Sequence, residues 1–300
     1  MSDDGAWALV VIALLGNPFS PSYARARDAG APPPALRFSA LNVALYGPRG
    51  SLWALDERVA QRPASDHELV LGNSAMRWDA DRLVVDFSET TAPWRKPFRG
   101  RVVLIPEILG RVADTGAVGG DAALSLDAAG RHLWWPVAPA ARVHVELDVP
   151  RVRFSGHGYH DANAGDVPLE DDFVGWSWSR ARGRGGRPLL AYDVVPRRGS
   201  PRAVAFAVER DGTAAAIGDV PSAPLPTTRW LVRRQARADA GHRPQVVRSL
   251  EDTPFYARAL VRTRIAGDDV IAVHEALSLD RLRTRWVRFL LGYRMGEARR

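Results

Sequence analysis

The feature that most restricts the fold of this chain is a strict alternation of apolar and polar residues over 142–150, RVHVELDVP. Val143, Val145 and Leu147 fall on one face of an extended strand, and the polar side chains between them fall on the other. Glycine and proline, 26 and 22 of the 300 residues, recur between other short segments rich in valine, leucine, alanine and tryptophan. Such punctuation is typical of an all-β protein.

The same reasoning predicts strands along most of the chain, and a hairpin whose tip is Asp268-Asp269 after Gly267. Besides the apolar run Ala6–Leu15, we predict strands at Arg82–Phe87, Arg101–Ile105, Phe173–Arg180, Leu189–Val195, Ala203–Val208, Trp230–Gln235, Ala257–Ile265 and Val270–Glu275. Short strands at this density in 300 residues predict two barrels or sandwiches. We place the boundary near Pro150, which predicts domains at 1–150 and 151–300.

The C-terminal segment is the one place where a helix is predicted. Apolar residues recur there at helical spacing, namely Leu279, Leu282, Trp286, Phe289 or Leu290, and Tyr293. Residues 281–300 also hold seven arginines against one acid, a net charge of +6 out of the +7 of the whole chain. Since the other residues are close to neutral, we expect no nucleic-acid partner, and we expect the basic helix either to rest on an anionic membrane surface or to pack on a barrel wall.

Composition excludes several kinds of site. The chain has no cysteine, which rules out disulfides, thiolate zinc sites, iron–sulfur clusters and cysteine nucleophiles. The longest apolar run has ten residues, about half of what a membrane-spanning helix needs, and Asp3 and Asp4 precede it where a signal peptide would be basic. We therefore expect a cytoplasmic protein with peripheral membrane contact at most. The segment RGRGGR (Arg182–Arg187) is predicted to be a hairpin turn rather than an RNA-binding segment.

The densest group of polar residues is GHGYHDANAGDVPLE, Gly156–Glu170. It is either a functional segment or a polar loop with Asx turns. His157, His160 and Asp161 are candidate metal ligands by type, but an extended backbone points the two histidines to opposite faces. We therefore expect no metal site here.

Two pairs of residues joining a polar group to an aromatic ring stand out. His132 and Trp134 in RHLWWP are two apart, as are Tyr159 and Asp161 in GYHD, so the members of each pair share one face of a strand. Both pairs either line one pocket or are ordinary core aromatics with a hydrogen-bonded histidine. The residues by themselves leave both readings open.

The segment GHGYHDANAGDVPLEDDFVGWSWSRA resembles the central signature of the carotenoid 1,2-hydratases, or hydroxyneurosporene synthases, of phototrophic bacteria. The resemblance covers essentially the whole chain, because further blocks occur in family order. These are GNPFSPSYARAR (Gly16–Arg27), ALNVALYGP (Ala40–Pro48), WPVAPAARV (Trp135–Val143), LEDTPFYAR (Leu250–Arg258) and VHEALSLDR (Val273–Arg281). Relatives usually carry an aromatic-rich strand ahead of the SDDG turn, so we expect the first strand to lack that neighbour.

The resemblance implies two lipocalin-like (calycin-type) β-barrel domains with a short C-terminal helix. It also implies cofactor-free, metal-free addition of water to the terminal C1–C2 double bond of acyclic carotenoids such as neurosporene and lycopene. The family's His-x-Trp and Tyr-x-Asp pairs fall on His132, Trp134, Tyr159 and Asp161. We expect Asp161 to be the acid, Trp134 to face the carbocation, and His132 to hold water and take its proton. Tyr159 either faces the carbocation as well or hydrogen-bonds Asp161 and keeps it in its donor orientation. Further side chains in the signature blocks are implied to line the substrate pocket, namely Asn163, Trp176, Trp178, Tyr192 and Asp193.

Two other functions fit the same residues less well. A relative of the same fold that protonates a terpenoid alkene and then cyclises or isomerises it would share the acid and differ in whether water reaches the cation. A non-catalytic lipid carrier would have no need of an acid. We therefore predict a hydro-lyase.

Overall fold

The computed structural model describes residues 1–30, 34–60, 67–111 and 123–294, with side chains as far as residue 292. Over these residues the protein is built mostly of antiparallel strands, which confirms the all-β class. Packing divides the chain into two compact units. The first unit is Met1–Glu107, Ala141–Gly158 and Arg285–Arg300, and the second is Ile108–Ala140 and Tyr159–Thr284.

The first unit contains a three-stranded sheet in the order β1-β2-β3, so that β1 is an edge strand in the described part of the chain. A second sheet has the order β10-β9-β7-β6-β5-β4, and β8 pairs with β9. The strands are β1 (Ala8–Leu14), β2 (Ser39–Gly47), β3 (Gly50–Arg58), β4 (Glu68–Leu71), β5 (Ser74–Asp79), β6 (Arg82–Thr90), β7 (Pro97–Ile108), β8 (Leu124–Ser125), β9 (His132–Val149) and β10 (Val152–Gly165). Residues of β7, β9 and β10 belong to both units, and β8 belongs to the second.

The second unit is organised around a sheet in the order β14-β13-β12-β11-β19-β18-β17. The strands β15 and β16, which come between β14 and β17 in the chain, form a separate two-stranded sheet. These strands are β11 (Phe173–Arg182), β12 (Pro188–Pro196), β13 (Arg202–Val208), β14 (Ala214–Ala216), β15 (Ser222–Leu225), β16 (Arg234–Arg237), β17 (Gln245–Asp252), β18 (Tyr256–Ile265) and β19 (Asp268–Ser278). The α-helices in the described part of the chain are α1 (Pro21–Asp28), α2 (Leu169–Asp172), α3 (Leu279–Leu282) and α4 (Arg285–Arg294).

The alternation at 142–150 has the predicted consequence. Val143, Val145 and Leu147 are buried, and the side chains between them are exposed from residue 144 onward. Val145 and Leu147 pack in the core of the first unit with Phe87 and Phe98, whose rings meet edge to face at 5.2 Å. The turn at Pro150, where we predicted a domain boundary, lies between β9 and β10. As a division into domains 1–150 and 151–300, that boundary stays a prediction.

Most predicted strands are confirmed, but the one at Trp230–Gln235 is wrong. A turn interrupts it, because the carbonyl and the hydroxyl of Thr228 accept hydrogen bonds from the N–H groups of Leu231 and Val232. Leu231 has a φ of +59°, which no strand residue adopts. The strand β16 therefore begins only at Arg234.

The tip of the last hairpin also lies two residues earlier than predicted. Ile265 pairs with Asp268, which leaves Ala266 and Gly267 as a two-residue turn with φ values of +53° and +83°. This is the geometry of a type I′ turn. The carboxylate of Asp239 accepts hydrogen bonds from both turn N–H groups, so Asp268 and Asp269 belong to β19.

The predicted C-terminal helix is two helices, α3 and α4. Leu279, Leu282, Val287 and Leu291 are the buried apolar positions, whereas Trp286 and Phe289 are exposed. Whether this segment rests on a membrane surface or packs on a barrel wall stays a prediction. No helix in the described ranges combines the length and apolar character that crossing a membrane requires. The remainder of the basic tail, 295–300, lies outside the described residues.

Gly156 tests how closely the N-terminal segment is fitted to β10. A Cβ at this position would lie 1.9 Å from the carbonyl oxygen of Met1 and 2.7 Å from the Cα of Ser2. Because backbone atoms cannot step aside cheaply, we expect Gly156→Ala to lower the free energy of unfolding by about 1–3 kcal/mol. Urea unfolding followed by tryptophan fluorescence measures the change.

Gly292 in α4 is the matched control, since a Cβ there would meet no atom within 4 Å. Gly292→Ala should leave the unfolding midpoint unchanged or raise the stability by up to about 1 kcal/mol. Equal effects of the two substitutions would contradict the close contact at Gly156.

Candidate active site

The first residues of β9 supply two fully buried side chains. His132 and Trp134 alternate on the strand and therefore share one face, and each is at most 1% exposed. Trp134 is also paired with Leu124 of β8, which covers it along the strand edge.

Asp161 on β10 is the residue that Trp134 binds. The indole Nε1–H of Trp134 donates a 2.8 Å hydrogen bond to Oδ2 of Asp161, and the hydroxyl of Tyr159 donates a 3.1 Å hydrogen bond to the same oxygen. The structure thus brings together three of the four residues predicted to be catalytic. Since both side-chain donors meet Oδ2, Oδ1 is the oxygen suited to carry a proton.

The ionisation of Asp161 is shifted toward the neutral acid. Removal from water raises the pKa of Asp161 from 3.8 to about 6, and the nearby negative charge of Glu275 acts in the same direction. The hydrogen bonds from Trp134 and Tyr159 oppose the shift because they stabilise the carboxylate. Burial also raises the pKa of the Tyr159 phenol well above its ordinary value, so this group remains a neutral donor.

Rings surround this carboxyl group in what we call the aromatic cluster. Trp134 lies edge to face with Tyr192 at 5.2 Å, Tyr159 lies against Trp178 at 5.2 Å, and Trp176 meets Tyr192 at 5.6 Å. Phe206 and Tyr256 extend the cluster, at 6.0 Å from Trp134 and 6.5 Å from Trp176 respectively. The cluster therefore consists of Trp134, Tyr159, Trp176, Trp178, Tyr192, Phe206 and Tyr256.

Strand periodicity and register explain why these rings meet. Trp176, Trp178 and Arg180 alternate along β11 and project from one face. Register places Tyr192 of β12 opposite Trp178, and residues directly opposite in a sheet have neighbouring side chains. The guanidinium of Arg180 lies 5.3 Å from the centre of the Tyr159 ring, and burial lowers the pKa of Arg180 to about 10.

His132 has a different set of contacts. Its Nε2 is 2.8 Å from Oδ2 of Asp172, its ring lies 4.7 Å from that of Phe173, and Arg131 binds the other oxygen of Asp172. Its Nδ1 is buried with no hydrogen-bond partner, beside Gly165. If Nε2–H donates to Asp172, then Nδ1 carries the free lone pair that a general base needs.

The residues predicted to line the pocket divide between two faces. Trp176, Trp178 and Tyr192 belong to the aromatic cluster. Asp193 follows Tyr192 and so projects from the opposite face of β12, where it binds Arg237 in a fork of hydrogen bonds. Asn163 is exposed near the end of β10. The structure therefore does not bring Asp193 and Asn163 into the cluster.

The candidate metal ligands do not converge. His157 lies 3.4 Å from Asp3, whereas Asp161 faces Trp134 and Tyr159. Burial lowers the pKa of His160 to about 4. In the ranges that the structure describes, no three His, Asp or Glu side chains are arranged to hold a metal ion.

Sequence reasoning missed several residues of this region. Asp172 lies in the signature segment that resembles the family, but no role was predicted for it. The sequence does not reveal the order and register of the strands that carry the other missed residues, namely Phe206, Tyr256, Arg258 and Glu275. The alternation within β11 and β19 was a usable signal for faces. It carried no information on which strands are neighbours.

Comparison with known proteins decides the family. The model of the carotenoid hydratase CrtC family matches residues 11–300. The chain belongs to this family. Its assignment to the hydro-lyases, the enzymes that add or remove water at a double bond, follows from the family.

Relatives are similar over nearly the whole chain. The acyclic carotenoid 1,2-hydratase of Thiocapsa roseopersicina is 44% identical over 98% of this chain and 70% of its own length. The protein of the same name from Cereibacter sphaeroides is 38% identical over 95% of this chain and 97% of its own.

Solved structures bear on the fold alone. The crystal structure of kievitone hydratase from Nectria haematococca superposes with a TM-score of 0.57 at 11% identity, covering 93% of this chain and 87% of that one. The predicted lipocalin-like fold is thereby confirmed. Closure of each sheet into a barrel stays a prediction.

The shifted ionisation of Asp161 has a thermodynamic consequence. Its folded-state pKa of about 6 lies above its unfolded value of 3.8, so the folded protein binds the proton more tightly. The stabilisation from protonated Asp161 is present at low pH and is lost as the pH rises from about 4 to about 6. Asp161→Asn should remove this loss, which we expect to be on the order of 1–2 kcal/mol after allowance for partial exposure.

The measurement is the difference in unfolding free energy between wild type and Asp161→Asn across this pH range. The difference is needed because His160 and His274 have folded pKa values lowered to about 4, and they contribute the opposite slope in both proteins. A difference that does not change with pH would contradict the raised pKa of Asp161.

Proposed function

We propose that this chain hydrates the terminal C1–C2 double bond of acyclic carotenoids such as neurosporene and lycopene, giving the tertiary 1-hydroxy product without a cofactor. The observation that carries the proposal is the Asp161 carboxyl group, which has a pKa of about 6 and is surrounded by the aromatic cluster. An isolated alkene is a very weak base, and a protonated carboxyl held among apolar rings is the kind of acid that it needs. The relatives named acyclic carotenoid 1,2-hydratase support this substrate class.

The first step is proton transfer from Asp161 to C2. The O–H bond at Oδ1 breaks, the alkene electron pair forms the new C2–H bond, and the positive charge stays on the more substituted carbon, C1. Trp134 and Tyr159 hold Oδ2 of the carboxyl, so the proton-bearing oxygen keeps a fixed direction.

The second requirement is stabilisation of the tertiary cation. The faces of the Trp134, Tyr159 and Trp178 rings carry the negative part of the aromatic quadrupole, and a desolvated cation–π contact contributes about 2 kcal/mol or more. These rings contact one another next to the Asp161 carboxyl, so the carbocation that forms at C1 lies beside them. Their apolar surface also suits the end of a hydrocarbon chain.

Water completes the reaction at C1. The water oxygen forms the C1–O bond, and His132 takes the released proton at Nδ1, the nitrogen that Asp172 leaves free. Passing that proton on restores the acid form of Asp161. The atoms added are those of one water molecule, so the reaction as proposed is balanced without a cofactor.

Asp161→Asn should abolish hydration, with a loss of at least about a thousandfold, because the amide has no acidic proton to give. The assay is incubation of the purified full-length protein with lycopene in detergent micelles, followed by chromatography and mass spectrometry. A product heavier by one water supports hydration, an isomer of unchanged mass indicates cyclisation or isomerisation, and bound but unchanged lycopene indicates a carrier.

Asp166→Asn is the matched control, since Asp166 is an exposed aspartate only five residues farther along the chain. It should retain wild-type turnover. Near-normal turnover by Asp161→Asn, or equal losses in both variants, would remove Asp161 from the role of acid.

Asp172→Asn tests the proposed role of His132. The amide can donate a hydrogen bond to Nε2, which favours the tautomer with the proton on Nδ1 and so removes the base. We expect kcat to fall by about 10²–10⁴ with little change in KM, the range that general acid–base catalysis contributes. A change confined to KM would indicate that the histidine only shapes the binding site.

We also propose that the protein meets its substrate at an anionic membrane surface through α4 and the basic segment from Arg281 onward. The inner side of α4 is anchored by Val287 and Leu291, whereas Trp286, Phe289 and Leu290 are exposed together on its outer side. Arginine side chains flank this apolar strip, in the arrangement of a helix that lies in the membrane interface.

Trp286→Ser with Phe289→Ser should reduce flotation with vesicles containing anionic lipid by about tenfold, since two large apolar side chains leave the interface. Val247→Ser with Ile271→Ser is the control, because both residues are exposed apolar side chains of other elements. Equal flotation of the two double variants would contradict docking through α4.

A further inference from the structure

A row of side chains crosses the sheet of the second unit on the face that carries the aromatic cluster. Tyr192 is in register with Trp178, Trp178 with Glu275, and Glu275 with Arg258. Directly opposite residues share one face of a sheet. The cluster is thus continuous with an ion pair on β18 and β19.

The guanidinium of Arg258 is almost entirely removed from water, with 2% of its side chain exposed. Its Nε donates a 2.7 Å hydrogen bond to Oε1 of Glu275, and its Nη1 lies 3.5 Å from Oε2 of Glu251. Its Cζ lies 5.3 Å from the centre of the Tyr256 ring. An arginine does not give up its proton in a protein, so Glu275 faces a permanent cation in this contact.

Glu275 acts on the Asp161 carboxyl electrostatically rather than through a hydrogen bond. Its neighbour Trp178 contacts the Tyr159 ring, and the Tyr159 hydroxyl binds Asp161. Burial is the main cause of the raised pKa of both Asp161 and Tyr192, and the negative charge of Glu275 acts in the same direction on both groups. The charged or titratable side chains around this site are Tyr159 on β10, Arg180 on β11, Tyr192 on β12, Glu251 on β17, Arg258 on β18 and Glu275 on β19.

We infer that the Arg258-bound carboxylate of Glu275 is a positioning residue of this site, which acts through Asp161 by keeping it protonated at rest and by offsetting the positive charge that the substrate acquires. The inference rests on the proposed function. A carboxylate has this effect because a second negative charge nearby disfavours the anion of Asp161, so the proton returns to Asp161 after each hydration.

The test is Glu275→Gln in the full-length protein, read by the titration of the Asp161 carboxyl. The carboxylic-acid infrared band that Asp161→Asn removes identifies the signal. We expect the midpoint to fall by about one pH unit, the scale of one charge–charge interaction in a protein site. With a smaller protonated fraction at pH 7, kcat for lycopene hydration should fall by up to about tenfold at that pH.

Glu251→Gln is the matched control, because it removes the same charge from the other side of the same guanidinium, one strand farther along the row. It should leave the titration midpoint of Asp161 in place. Glu275→Met, close to glutamate in volume, gives the same reading should the amide variant fail to fold.

An unchanged midpoint in Glu275→Gln, or equal shifts in Glu275→Gln and Glu251→Gln, would overturn the inference whether or not the wild type hydrates lycopene. A shift specific to Glu275 in a protein that leaves lycopene unchanged would support the electrostatic coupling and overturn the proposed function. The two failures are therefore distinguishable.

Discussion

The hydrogen bond from the Trp134 indole to Asp161 is the interaction on which the candidate active site depends. It joins the beginning of β9 to β10, and it places a carboxyl group against a ring that is itself packed on Tyr192 and Phe206. The same contact does two opposing things, since it takes the carboxyl out of water and stabilises its charge. Burial has the larger effect, and Asp161 therefore retains a proton at a pH where exposed aspartates have lost theirs.

Residues of the candidate site and residues with a structural role lie on opposite faces of the second unit's sheet. One face carries Trp178, Tyr192 and the Glu275–Arg258 pair, and the rings of Trp134 and Tyr159, which bind Asp161, contact the first two. The other carries Asp193 bound to Arg237, and Ser179 bound to the buried His274 at 2.8 Å. Tyr192 and Asp193 are adjacent in sequence and both were predicted to line the pocket. Alternation along β12 sends only Tyr192 to the cluster.

Local pattern predicted the elements well and the site in part, for identifiable reasons. Alternation in 142–150 and the i,i+2 spacing of Tyr159 and Asp161 depend on backbone geometry alone, so both could be read from the chain. Leu231 adopts a positive φ because Thr228 closes a turn around it, a local interaction that apolar character did not indicate. Glu275 and Arg258 meet Trp178 only through the order of β11, β19 and β18, which pairings distant in sequence determine.

If Asp161 acts as the protonated acid, the pH dependence of turnover must follow the ionisation of its carboxyl group. With saturating lycopene, kcat of the wild-type protein should fall tenfold per pH unit above a midpoint of about 6, because only the acid form of Asp161 can protonate C2. The same midpoint should appear in the infrared titration of the Asp161 carboxyl. Turnover that stays constant or rises between pH 6 and 8 would contradict the role of Asp161 as the acid.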